Sequence, residues 1–181
     1  LRDPTTMEVV QVLIDGDIVA KDGKLTTEFE PYHYPSWVTG SMHIRDAITS
    51  DSFRIPAKGD AVQVRVMEVA SGRVNNRETR ATLKVTKGEL KSDPAQDVLK
   101  EVVFERHHKT GNCGFGFVNG FQIQSGAMAS TVAHAAHNLL VIGTNDQDMA
   151  LAANTLIQAG GGMVVVRDGK VLGLVPLPIA G

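Results

Sequence analysis

Two stretches of the chain hold side chains that can do chemistry. His107, His108 and Cys113 stand in the first; Ser130, Thr131, His134, His137 and Asn138 stand in the second. Together they carry four of the six histidines and the only cysteine. Imidazole can move a proton or ligate a metal near neutral pH. His134 and His137 are three residues apart, a spacing that shares one face of a helix. In a strand they face opposite ways unless the chain turns between them. Two imidazoles can begin a metal site, but such sites take three or four protein ligands. No Cys, Asp or Glu lies between Cys113 and Asp146, so no metal site is assigned to this chain. Contact with a small substrate is the sharper expectation, with His134 and His137 as catalytic candidates and Ser130, Thr131 and Asn138 as substrate-binding candidates. The plainer reading is that these groups satisfy buried backbone at a strand end.

Cys113 lies between Asn112 and Gly114, with no cationic neighbour. As a nucleophile it needs a base within reach, and only folding could bring a histidine to it. Gly111, Gly114, Gly116, Gly120 and Gly126 do not have the Gly-x-x-x-x-Gly-Lys-Ser/Thr spacing of a phosphate loop. They read as a turn-rich crossover in which Phe115, Phe117 and Phe121 anchor the core.

The elements that must position these residues follow from periodicity. Residues 7–14 and 18–20, separated by Asp15-Gly16 and closed by Asp22-Gly23, predict a short hairpin, a fragment of a small β-sandwich over residues 1–25. Residues 26–59, broken by Pro31, Pro35 and Pro56, read as an irregular linker whose His33 and His43 are solvated. Residues 61–69 and 79–85 alternate with period two, with a turn expected over 71–76 and another at Lys87-Gly88. A third long strand, 99–106, leads into His107. Residues 127–133 and 139–142 read as buried strands. Thr144 and Gln147 have the spacing of a capping box, with Asp146 and Asp148 in the first turn of the helix that follows. Met149, Ala152, Ala153, Leu156 and Ile157 form its apolar face, and Gly160-Gly161-Gly162 ends it. A hairpin around Asp168-Gly169 closes the chain. The fold class is α+β: a mixed, largely antiparallel sheet with one well-defined helix near the C-terminus, over residues 60–181.

Composition narrows the function. The chain has 181 residues, 43% hydrophobic, with a net charge of −2. No basic face is implied, so nucleic acid is not an expected partner. No apolar run reaches the length of a membrane span and no signal peptide is visible, which points to the cytoplasm. Leu1 in place of an initiating methionine suggests a piece of something longer.

The run from Gly126 to His134, the His137-Asn138-Leu139-Leu140-Val141-Ile142-Gly143 segment, Asp148 to Ala152, Gly160 to Val166 and Leu177 to Gly181 together resemble the C-terminal domain of bacterial adenine deaminases, of the amidohydrolase superfamily. Residues 7–25 resemble the β-sandwich strands that follow the barrel in amidohydrolases. The resemblance implies hydrolysis of adenine to hypoxanthine and ammonia, by a divalent metal (manganese, iron or zinc) held in an α/β barrel whose ligand motifs this chain lacks. It implies that the chain lines or completes that barrel's active site, with the barrel, a purine substrate and further copies in a homo-oligomer as partners. The alternative is a structural or oligomerisation domain without catalytic contacts. The family usually reads His-Asp-Ser-His-Asn where this chain has His134-Ala135-Ala136-His137-Asn138, so a carboxylate and a hydroxyl are missing.

Overall fold

Hairpin signals and period-two runs become strands where the turns allow it. The computed structural model describes residues 2–69, 76–179 and 181. The turn expected over 71–76 lies, apart from Asn76, outside the described residues. The chain falls into two units, residues 1–34 and 35–181. In the first, β1 (Gln11–Ile14), β2 (Asp17–Lys21) and β3 (Lys24–Leu25) pair antiparallel in that order. Asp15-Gly16 and Asp22-Gly23 all take positive φ, as two-residue hairpin turns require. The first strand begins at Gln11, not at Met7, because Met7 has positive φ and Asp3 bridges Glu8 in a turn of its own. Of this sheet's apolar side chains Val19 is buried, while Val12, Leu13, Ile14, Ile18 and Leu25 are exposed.

The second unit contains β4 (Ile55–Pro56), β5 (Ala61–Glu68), β6 (Arg77–Thr86), β7 (Glu89–Leu90), β8 (Leu99–Phe104), β9 (Cys113–Asn119), β10 (Ala127–Ser130), β11 (Leu139–Gly143), α1 (Asp146–Ala159), β12 (Gly162–Arg167) and β13 (Lys170–Pro176). They form a ten-stranded sheet in the order β13-β12-β10-β11-β8-β9-β5-β6-β7-β4. The pairing is antiparallel except between β5 and β9, which run parallel and meet only at Met67–Val118 and Glu68–Asn119. This is the mixed, largely antiparallel sheet with one α-helix that the sequence predicts. Three of its details differ. The glycine-rich stretch contains β9, an interior strand, and is not a crossover of turns. Phe117 is buried, but Phe115 is 47% exposed, because β9 and β5 diverge beside it and leave an open cleft. The strand after Gly126 stops at Ser130, short of Ala133.

Register fixes the two faces of the sheet. Val102 lies opposite Val141, Val141 opposite Ala129 and Ala129 opposite Val164, so these four share a face. All are buried under Met149, Ala152, Ala153 and Leu156 of α1, together with Ile48 and Phe53 from the segment before β4. Glu101, Ile142, Met128 and Val165 are linked in the same way on the opposite face, and so are Val103, Leu140, Ser130, Met163 and Val175.

The helix starts one residue later than the expected capping box. Asn145 is the N-cap, and its side chain accepts the amide of Asp148 at 2.8 Å. Thr144 is diverted: its hydroxyl accepts the amide of Gly126 and donates to the Gly126 carbonyl. Gly160, with φ +78°, ends the helix in the left-handed conformation that glycine adopts without strain. Gly162 already belongs to β12.

One buried ion pair fastens the helix to the sheet. Lys100, on the helix side of β8, is 1% exposed, and its Nζ donates to Asp146 Oδ1 at 2.6 Å and to the Phe53 carbonyl at 2.7 Å. Lys91 reaches the other oxygen of Asp146 at 2.7 Å. Burial lowers the Lys100 pKa, and the bond to Asp146 opposes that. Removing one partner of such a pair strands the other charge. Asp146→Ala should lower the stability to urea by about 3–5 kcal/mol, and the double change Lys100→Met with Asp146→Leu should recover most of it.

Candidate functional site

Between β10 and β11 the chain makes one tight excursion, and it holds the candidate motif. The amide of His137 bonds to the Ala133 carbonyl at 2.7 Å, which closes a turn over His134, Ala135 and Ala136. His137 takes φ +48°, a left-handed conformation uncommon outside glycine. The turn the spacing argument required between the two histidines is therefore present. Both rings are exposed, and among the described residues neither has a hydrogen-bond partner.

The other candidates are engaged. Thr131 is fully buried: its hydroxyl accepts the Gly162 amide and donates to the Gly181 carbonyl, both at 2.8 Å. Asn138 Oδ1 accepts the Arg106 amide at 3.4 Å. Ser130 Oγ accepts the Val132 amide at 3.0 Å, and the side chain lies on the sheet face opposite α1. The fold thus collects all five candidates at the end of β10 and in the loop that follows it, with two imidazoles free and three polar groups bonded to backbone amides or carbonyls.

Arg106 holds that loop from beneath, and no local sequence pattern marks it. The strand expected to run to Arg106 ends at Phe104, and Arg106 turns inward to 1% exposure. Its Nε donates to the His137 carbonyl, and Nη1 donates to the carbonyl and hydroxyl of Ser41 at 3.0 and 3.1 Å. Nη2 reaches the Gly181 carbonyl at 3.4 Å. A β-carbon on Gly181 would strike this guanidinium. Burial shifts the Arg106 pKa downward, yet a guanidinium stays charged in proteins.

A second loop, residues 105–112, is built on Glu105. Its carboxylate accepts the amides of Thr110 at 3.0 Å and His108 at 2.8 Å, the Thr110 hydroxyl at 2.9 Å and the amide of His107. The Thr110 amide first, then His108, the Thr110 hydroxyl and His107, hold the Glu105 carboxyl down at about 2. His107 Nε2 lies 2.8 Å from the Ala136 carbonyl. A carbonyl only accepts, so this nitrogen carries the proton, and the two loops are joined by that bond. Cys113 is exposed and lines a pocket of about 210 Å³ with Ile44, Ile48 and Phe104. Among the described residues no base bonds to its thiol, and no group of three or more His, Cys, Asp or Glu converges to hold a metal. No helix among them is long and apolar enough to cross a membrane.

Two measurements check this geometry. Because the folded pKa of Glu105 lies below the ordinary carboxylate value of 4.5, its stabilisation of the 105–112 loop is present above that value and lost as pH falls toward about 2. The amide resonances of His108 and Thr110 should therefore titrate with a midpoint near 2, whereas a midpoint near 4.5 would contradict the bonding described. Thr131→Val keeps the shape and removes both hydroxyl bonds. It should cost about 1–3 kcal/mol in chemical unfolding.

The sequence profile described as "Adenine deaminase C-terminal domain" matches residues 73–181. Among curated relatives, an adenine deaminase of Clostridium botulinum is 59% identical over 182 residues, covering all of this chain and 30% of the relative. One from Moorella thermoacetica is 48% identical over 183 residues, covering all of this chain and 31% of the relative. One from Methanothrix thermoacetophila is 45% identical over 173 residues, covering 96% of this chain and 30% of the relative. The chain thus spans about 30% of the length of the relatives it matches.

Proposed function

The chain belongs to the adenine deaminase C-terminal domain family, and from that premise we propose that it is the C-terminal part of a longer enzyme that hydrolyses adenine to hypoxanthine and ammonia. In this reading the 131–138 loop lines the active site of an amidohydrolase barrel carried by the rest of the protein. The observation that carries it is the pair of unengaged imidazoles, His134 and His137, held outward on a loop whose backbone is tied down by Arg106 and Thr131. A fixed loop with free rings suits contact with a ligand that the loop itself does not supply. An imidazole can donate to a purine ring nitrogen or accept from an exocyclic amine, so His134 is assigned the base contact, with His137 and Asn138 beside it.

Deamination of this kind calls for a divalent metal (manganese, iron or zinc) that supplies an activated water. The described residues of this chain do not fit such a site, so its ligands are assigned to the barrel. The sheet of residues 11–25, which buries little but Val19, fits a β-sandwich completed by strands of the longer protein. A cytoplasmic setting accords with the single exposed thiol of Cys113.

A second reading, a structural and oligomerisation domain, draws support from Thr131 and Asn138, whose polar groups are spent on the fold, and from β13, an edge strand exposed along its whole length. The two readings part on one variant. His134→Ala in the full-length protein should lower kcat/KM for adenine by about tenfold or more, as loss of a transition-state hydrogen bond does. Unchanged kcat and KM would leave the structural reading standing alone.

A further inference from the structure

Among the described residues the sheet is covered by α1 on one side and only in part on the other. Beneath α1 every strand from β8 to β12 contributes buried side chains. On the opposite face the segment 120–126 brings Phe121 and Ile123 over Leu99, Val118 and Ile142. That cover stops at β10. Beyond it Met163, Val165 and Val175 stand 45%, 50% and 54% exposed on the same face, side by side across β12 and β13. Between this patch and the covering segment lies a hollow of about 280 Å³, lined by Ile123, Met128, Val165 and Leu172. Contiguous apolar surface with a socket of that size is characteristic of an interface.

Glu101 adds a charge requirement. It lies in the register row that runs through Ile142 and Met128 to Val165. It is half-buried, and among the described residues it has no hydrogen bond or ion pair. Burial alone raises its pKa, with no opposing partner. A carboxylate in that position wants a cation or an N–H donor approaching along the sheet normal.

We propose that this face docks against the preceding portion of the longer protein, which inserts an apolar side chain at the Val165 hollow and presents a lysine or arginine to Glu101. The proposal rests on the reading of the chain as a C-terminal part. Two observations select this occupant over a second copy. The relatives carry more than twice as much chain outside the matched region as within it. Ser130, at the root of the histidine loop, lies in one register row with Met163 and Val175, so whatever the loop faces is adjacent to this patch.

The test uses the full-length protein. Oxidation of Met163 by hydrogen peroxide should be slowed at least about tenfold relative to the urea-unfolded protein, since oxidation follows exposure. A slowing of less than about threefold, which partial exposure alone would give, overturns the proposal. Met163→p-benzoylphenylalanine, photolysed and digested, then identifies the cover. A cross-linked peptide from outside residues 1–181 is expected; one from within these residues on a second chain overturns the proposal in favour of self-association. Neither readout involves turnover. A neutral His134→Ala with a captured outside peptide would sink the active-site reading and leave this one intact, and catalytic loss with a freely oxidised Met163 would do the reverse.

Discussion

A guanidinium taken out of water must find an acceptor for nearly every N–H, and Arg106 meets that demand by drawing three distant segments together. Among the described residues its acceptors include His137, Ser41 and Gly181, which lie on the candidate loop, on the segment before β4 and after β13. Among the described residues, none of these segments is in a strand at that point. Their positions follow from the fork geometry of one side chain, whose planar donors fix direction as well as distance. Thr131 repeats the logic on a smaller scale, with one hydroxyl serving Gly162 and Gly181. The loop is therefore held from its buried side, and this is why its outward side is free to carry two imidazoles with no structural duty.

The same economy governs the sheet. Lys100 and Glu101 are neighbours on β8 and point to opposite faces. Lys100 enters the face that α1 closes, and a partner 46 residues away in sequence, Asp146, meets it there. Glu101 enters the opposite face, which the segment 120–126 covers only in part, and among the described residues it has no hydrogen bond or ion pair. The contrast is informative because both residues sit on one strand with the same backbone pairing. On the face that α1 covers, the chain supplies its own counter-charge in Asp146.

Much of the scaffold was legible from periodicity. The alternation of residues 61–69 and the apolar stripe of Met149, Ala152, Ala153 and Leu156 gave the right elements on the right faces, because both signals are local. The hairpin turns followed from Asp-Gly and Lys-Gly pairs. The misses have physical causes. Thr144 and Asn145 are both able to cap a helix, and the choice between them was made by the Gly126 backbone, 18 residues away, which engages the threonine hydroxyl. Phe115 and Phe117 have equal claim to the core by type, but β5 leaves β9 between them, and only Phe117 is covered. Glycines at 114 and 116 hid the alternation of β9 by removing one face of it. At the site, the histidine loop was visible as a cluster of types, while its support was not. Arg106 read as the polar end of a strand, and nothing local marks a charged residue that will turn inward to meet carbonyls from three segments.

This division has a consequence for how the motif works. Ala135 and Ala136 have no polar side-chain group, and the turn they occupy is closed by backbone alone, through the His137 amide and the Ala133 carbonyl. The Ala136 carbonyl also accepts the His107 ring, which ties the turn to the 105–112 loop without any side chain from residue 135 or 136. The shape of the loop thus does not rest on the side chains of Ala135 and Ala136. The polar side chains that it presents outward are the exposed imidazoles of His134 and His137, while Asn138 Oδ1 accepts the Arg106 amide.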